Sequence, residues 1–428
     1  MKKLIAISVI FALVAGAAFA EATLGGQLMI GTTLLRGDAE SDDIMMGGMG
    51  FHEAKIAAVF GDSKGGGLLK IVASDPNGTT YQMNLNARDG TLSEKDGTDF
   101  KNGSIWPWGF LYWQPNAKFR MQVGLNGDGD FGAAKISGWG FVGEAKNSVA
   151  AMSDYMDWNN EYGMMRIFNS ALTREGNAFY PGTGDLPNIN FSLFPIDGMR
   201  INFVLPIGSN YVNGGDGKEL EIQDQIADLQ LNVVYNFEDL GQLNVSFVGR
   251  GGLGKDKMHT KSVGNLYASF YLTALGPLKL DIGLVQSLPW YSDPYDLKTE
   301  GWTGIGLGLL YDPGAKFTFK FRTNVRIGGW RADVPYDTVV YAHVLPCYKV
   351  TNNLWVFFYA GMNMILSNSG TNEGESSVGW FVNPYIWVRA AEGLRFWTGV
   401  QIYQSSVNPG TDAAIINWRV PFGFNFYF

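Results

Sequence analysis

The chain has 428 residues, 56 of them glycine, with 14% aromatic and only 17% charged residues and a formal net charge of -8. The acidic balance disfavours nucleic-acid binding, and the single cysteine, Cys347, excludes an intramolecular disulfide framework and a cysteine-rich metal site. No Pro-rich or Ser-rich linker and no mid-chain change of composition divides residues 21–428, so they read as one domain.

The N-terminus carries a targeting pattern. Lys2 and Lys3 precede an apolar run from Leu4 to Val14, and Ala18-Phe19-Ala20 offers a small-x-small cleavage site. Residues 1–20 are therefore expected to be a secretory signal peptide, too short to span a bilayer as a helix. No cysteine follows the cleavage point, so a lipid anchor is not indicated. Beyond it, even the uncharged stretch Leu354 to Leu366 falls short of the roughly 20 residues a spanning helix needs. A membrane chain without such a helix must pair every backbone group inside a closed barrel.

Strands are predicted near 24–34 and 51–60, then over 67–88 as one long strand interrupted at Asp75-Pro76-Asn77-Gly78. In its last part Tyr81, Met83, Leu85 and Ala87 oppose Gln82, Asn84, Asn86 and Arg88, the period of two that gives a strand one oily and one wet face. Strands near 105–114 and 118–125 follow, the second setting Phe119, Met121, Val123 and Leu125 against Lys118, Arg120 and Gln122. The stretch 126–186 is far longer than an ordinary loop. It holds Trp139, Tyr155, Trp158 and Tyr162 with four methionines, and a short helix is expected over Ala145 to Trp158. It is too apolar to be fully solvated and is expected to fold inward and narrow a lumen; an outward cap is the alternative.

Further strands are predicted near 187–194, 199–205, 227–237, 242–250, 264–274, 278–286, 302–311, 316–327, 338–348, 354–364, 378–389, 394–403 and 413–428. The expected fold is all-β: a transmembrane antiparallel barrel of about 18 strands, with 16 as the alternative. Tight turns such as Pro195-Ile196-Asp197-Gly198, Leu275-Gly276-Pro277 and Asp312-Pro313-Gly314 alternate with long polar segments, as in outer-membrane barrels. Aromatics beside the turns (Tyr112 and Phe119, Tyr235 and Phe237, Tyr311 and Phe317, Trp387 and Phe396) suggest interfacial girdles.

The polar parity is rich in cations: Arg88, Lys118, Arg120, Arg200, Arg250, Lys279, Lys320, Arg322, Arg326 and Arg395, with Lys316 and Arg419, against the acids Asp228 and Asp281. Those ten are the candidate lining of a pore, which would then prefer anions. Other motifs lead elsewhere and fail. Gly249 to Lys255 has the spacing of a phosphate-binding loop, but Asp256 stands where Ser or Thr would hold magnesium. Gly304, Gly306 and Gly308 fall at period two, as one face of a strand. His52, His259 and His343 lie far apart, without metal-ligand spacing. No catalytic set, metal or cofactor is nominated, and no enzyme is expected.

The chain ends Pro421-Phe422-Gly423-Phe424-Asn425-Phe426-Tyr427-Phe428. Gly423, Phe426 and Phe428 resemble the terminal signal of bacterial outer-membrane proteins, which the barrel-assembly machinery reads; Pro421 departs from it where a polar residue is usual. With its Gly-rich, aromatic strands and Asp- and Asn-rich loops, the chain resembles bacterial outer-membrane porins and is similar to porin-like proteins of spirochaetes. The resemblance implies residence in outer-membrane lipid at the cell surface, and oligomers are compatible with it. The wet parity implies passive diffusion of small hydrophilic solutes. A surface adhesin or structural protein, and a transporter of hydrophobic compounds, are the alternatives.

Overall fold

The structure, a computed structural model, describes residues 23–39, 49–61, 64–74, 104–124, 188–206, 229–249, 264–288, 302–328, 338–367, 373–404 and 416–427. Residues 1–20, expected to be a signal peptide, the segment 126–186, Arg88, Arg250 and Phe428 lie outside these residues.

Nineteen strands form one sheet among the described residues. The first half comprises β1 (Thr23–Asp38), β2 (Met49–Gly61), β3 (Gly65–Ser74), β4 (Ser104–Asn116), β5 (Phe119–Gly124), β6 (Asn188–Leu193), β7 (Met199–Pro206), β8 (Gln230–Phe237) and β9 (Gly241–Gly249). The second comprises β10 (Gly264–Leu275), β11 (Leu278–Leu288), β12 (Trp302–Tyr311), β13 (Phe317–Gly328), β14 (Thr338–Thr351), β15 (Leu354–Leu366), β16 (Ser376–Ala391), β17 (Leu394–Gly399), β18 (Gln401–Gln404) and β19 (Ile416–Tyr427). β17 and β18 are two parts of one crossing: both pair with β16 on one side and β19 on the other. Counting them once, the nineteen strands make 18 crossings, the larger of the two expected numbers.

Every sequential neighbour except the collinear β17 and β18 pairs antiparallel, from β1–β2 to β18–β19, and β1 also pairs β19 from Gln27 opposite Tyr427 to Asp38 opposite Asn417. The meander thus returns on itself, and closure removes the edge that an open sheet would expose. Of the predicted strand 67–88, residues 67–74 lie in β3, paired with β2 and β4, and residues 75–88 lie outside the described residues.

Connections alternate strictly. Turns of a few residues join β2 to β3, β4 to β5 and every even strand to the next as far as β16 to β17; the other ends carry the long connections. Local chemistry closes the tight side. Asn116 Oδ1 accepts from the Lys118 amide at 2.8 Å, and Asp312 Oδ1 from the Gly314 amide at 3.0 Å. Gly198 sits at φ +77°, and a Cβ there would come within 2.6 Å of the Asn236 carbonyl, so this turn needs glycine for both backbone angle and space. The turn Thr351–Leu354, between the strands expected near 338–348 and 354–364, lacks Gly and Pro; Thr351 Oγ1 accepts from the Asn353 amide at 3.1 Å instead.

Burial is inverted relative to a soluble protein. Leu111, Leu193, Leu231, Ile282, Leu284, Ile305, Ile327 and Phe358 are exposed on the outside, while Gln122, Asn190, Asn202, Asn232 and Asn244 are buried on the opposite parity. Ile282 is 58% exposed and its neighbour Asp281 0%. An apolar belt of this extent in water would be a large uncovered patch. Against hydrocarbon it is solvated by lipid, and the ladders between the described strands pair the backbone there. Among the described residues no helix is long and apolar enough to cross a membrane.

Candidate functional site on the inner face

The inner face has two contrasting halves, set by register. On β5 to β9, each strand contributes an amide or hydroxyl at nearly the same level. Asn190 Nδ2 donates to Gln122 Oε1 at 3.4 Å, and Ser192 Oγ to Asn202 Oδ1 at 2.6 Å. Asn202 Nδ2 donates to Asn232 Oδ1 at 2.8 Å, and Asn232 Nδ2 donates to Asn244 Oδ1 at 2.6 Å and Ser246 Oγ at 2.7 Å. Cross-strand pairing of Ser192 with Asn202, Asn202 with Asn232 and Asn232 with Ser246 holds the donors beside the acceptors. Such a belt is legible in the sequence as the wet half of each alternation.

The other half, β14 to β18, was not foreseen. Tyr359 and Phe381 are each 2% exposed, and with Leu345 they form a buried cluster on which Phe357, Tyr385 and Tyr403 pack. Phe357 stacks on Tyr385 with centroids 4.6 Å apart and planes 4° apart, and Trp355 meets Trp387 at 5.2 Å. His343 Nδ1 lies 2.5 Å from the Tyr359 hydroxyl, with its ring 5.2 Å from Phe381. These rings share the parity of buried His343, Ser377 and Asn383, whereas Val356, Phe358, Val378 and Ile386 on the other parity are exposed. The available signal was the loss of alternation: Leu354–Leu366 is apolar on both parities.

Two expected girdle residues belong to this inner face. Tyr112 pairs with buried Gln122, and the Arg120 guanidinium lies 4.6 Å over its ring. Trp387 pairs with Trp397, which is 7% exposed, and carries Arg395 at 4.5 Å. Register decides the face, and in both places a cation over the ring gives the aromatic a stable seat away from lipid. Phe237, Tyr311 and Phe317 do stand exposed on the outer parity, and Tyr235 meets Phe237 edge-on at 4.6 Å.

The candidate cations fall as follows. Arg120 opposes Ser192 and Arg200 opposes Val234, both on the inner parity near tight turns. Lys279 opposes Leu310, two residues from buried Asp281. Lys320 lies between Leu310 and Leu345, and Arg395 between Arg389 and Asn425. Arg322 and Arg326 are placed by backbone register alone, opposite Gly308 and Gly304 on β12. Lys118 stands in the exposed β4–β5 turn, at the rim rather than along the wall. The structure therefore spreads the cations around the ring instead of gathering them into one cluster. Among the described residues no group of three or more His, Cys, Asp and Glu could hold a metal. Of the terminal signal, Gly423 is buried beneath the Trp397 ring and Phe426 is 40% exposed on the outer parity.

No family model matches the chain, and no curated protein matches it in sequence. Solved structures do match in shape. Pseudomonas aeruginosa OccK9 (OpdG) superposes with a TM-score of 0.53 at 9% identity, over 96% of this chain and 100% of its own. Pseudomonas aeruginosa OpdK with vanillate gives 0.51 at 9% identity, over 95% and 99%. Acinetobacter baumannii OccAB4 gives 0.51 at 11% identity, over 95% and 98%. These structural neighbours are bacterial outer-membrane porins. At such identities the likeness establishes the fold alone, a large antiparallel β-barrel.

Proposed function

We propose that this chain forms a porin-like channel in the bacterial outer membrane, through which small hydrophilic solutes pass by passive diffusion. The inverted wall carries the reading: exposed aliphatics outside, and inside a belt of buried, hydrogen-bonded Asn, Gln and Ser. Eighteen crossings also enclose more space than side chains alone need to fill, unlike barrels of about eight strands. A weak anion preference accompanies it, because Arg120, Arg200, Lys279, Lys320 and Arg395 share the inner parity, where Asp281 is buried. Their dispersion around the ring makes the bias a diffuse field rather than a single filter.

The test is a single-channel recording on protein folded in detergent and added to a planar bilayer in potassium chloride. Discrete, voltage-independent steps are expected. Protein that inserts, as judged by protease protection, yet gives no steps would overturn the channel reading in favour of a structural or adhesive surface role.

A further inference from the structure

We infer that the aromatic wall of β14–β18 is a track for acidic saccharides, a solute class for the channel proposed above, on which this assignment rests. The rings form successive tiers along one face. Trp355 and Trp387 make the tier nearest the tight turns, Phe357 and Tyr385 the next, and Tyr359 and Phe381 the third. Along β15 successive tiers are two residues apart, while on β16 Asn383 stands opposite Tyr359 and Phe381 reaches that ring from the next pair along. At the usual rise and barrel tilt the tiers advance about 5 Å along the barrel axis, close to the length of one pyranose ring. Phe357, Tyr385, Trp355 and Trp387 are half-buried, so part of each remains for a flat apolar partner.

Three observations narrow the partner. First, the wall is not purely apolar. Asn383 Oδ1 and Ser377 Oγ are buried on the same strand face as Phe381 and Tyr385, and neither has a hydrogen-bond partner. A buried acceptor left unsatisfied is costly. An alkyl chain would leave both so, whereas a ring that carries hydroxyls along its edge and C–H groups on its faces supplies donors and stacking together. Second, the wall is flanked by cations. The Lys349 ammonium lies 6.0 Å over the Trp355 ring and the Arg395 guanidinium 4.5 Å over Trp387, with Lys320 across from Leu345. Third, the strands β13 to β18 contain no Asp or Glu except beyond their ends. A neutral sugar would use the rings and the amide but not this one-signed field; a uronic acid oligomer uses all three.

The experiment is current interruption by trigalacturonate in a planar bilayer, with maltotriose and benzoate as parallel probes. Trigalacturonate is expected to block the wild-type channel in resolved events, and maltotriose to block it less. Phe357→Ala with Tyr385→Ala should weaken the trigalacturonate block about tenfold or more, the worth of two stacking contacts, while potassium chloride conductance persists. Lys349→Gln with Arg395→Gln should erase the preference over maltotriose. Asn383→Leu, which removes the side-chain amide and leaves the rings in place, serves if the ring variant does not fold. Equal block in wild type and variants, or a wall-dependent block by benzoate without one by trigalacturonate, overturns the assignment. Loss of all conductance would instead sink the channel reading. The saccharide track then stands or falls on tryptophan fluorescence: a saturable change with trigalacturonate that the Asn383→Leu variant weakens supports it, and none refutes it.

Discussion

At the scale of single residues, adjacent positions live in opposite solvents. Phe319 shares the outer parity with Phe317 and Ile327, which are 42% and 47% exposed, while Lys320 lies between the inner residues Leu310 and Leu345. Phe319→Arg should therefore destabilise, by less than the roughly 2–4 kcal/mol of a cation at the midplane of a barrel's lipid face, because Phe319 lies opposite the girdle residue Tyr311. Lys320→Gln should fold like wild type. Urea unfolding in phospholipid vesicles measures both, and equal behaviour would reverse the assigned faces of β13. Close approach constrains other residues. A Cβ on Gly361 would stand 2.5 Å from His343 Cδ2 and 2.6 Å from Phe381 Cε1. Gly361→Ala should then destabilise by about 1–3 kcal/mol through overpacking, read in the same assay, whereas Gly276→Ala meets no neighbour within 4 Å and should lose only through its φ of +65°.

At the scale of elements, the ladder between β1 and β19 closes the ring, and its register can be tested directly. Thr32 opposes Phe422. Directly opposed residues on antiparallel strands have Cα atoms about 4.5–5.5 Å apart, within disulfide reach. Thr32→Cys with Phe422→Cys, in a Cys347→Ser background, should oxidise to an intramolecular crosslink that shifts the band of the denatured chain. Thr32→Cys with Phe426→Cys should not, because Phe426 opposes Leu28. Crosslinking of the second pair alone would mean a slipped register or an open seam. The amide belt is a second element-level device. Asn232 joins β7 to β9 through Asn202, Asn244 and Ser246. Asn232→Leu would take the acceptor from Asn202 Nδ2 and a donor from Asn244 and Ser246 in a buried site, and should cost about 1–3 kcal/mol.

At the scale of the whole molecule, a closed sheet of 18 crossings should behave as one rigid unit. Heating the detergent-folded protein should convert a compact, fast-migrating band to a slower one, with a strand-dominated circular dichroism spectrum beforehand; a helical spectrum would end the barrel reading. Selectivity belongs to this scale as well, since it sums charges over the ring. In a salt gradient the reversal potential should carry the sign of anion preference. Lys320→Glu with Arg322→Glu should move it toward cations. A cation-selective wild type that these changes do not alter would sink both the preference and the inward placement of Lys320.

The sequence by itself determined the barrel. Strict alternation with period two, turn residues on one side, long polar connections on the other and the want of a spanning helix leave few alternatives. The strand count followed, because the bounds of a strand are written in local chemistry such as Pro195 to Gly198 and Asp312 to Gly314. The outward Ile282 and inward Asn202 were equally legible, since parity is a local property. Only the tertiary structure decided what alternation cannot express. Strands apolar on both parities, such as Leu354–Leu366, carry no label for inside and outside, so the facing of Phe357 and Tyr385 waited on their register with β14 and β16. Tyr112 and Trp387 matched an interfacial pattern in the sequence, yet pairing with Gln122 and Trp397 turned them inward. The division of the inner face into an amide half and an aromatic half arises because pairing sets residues from distant parts of the chain at one level, a relation that no window along the sequence contains.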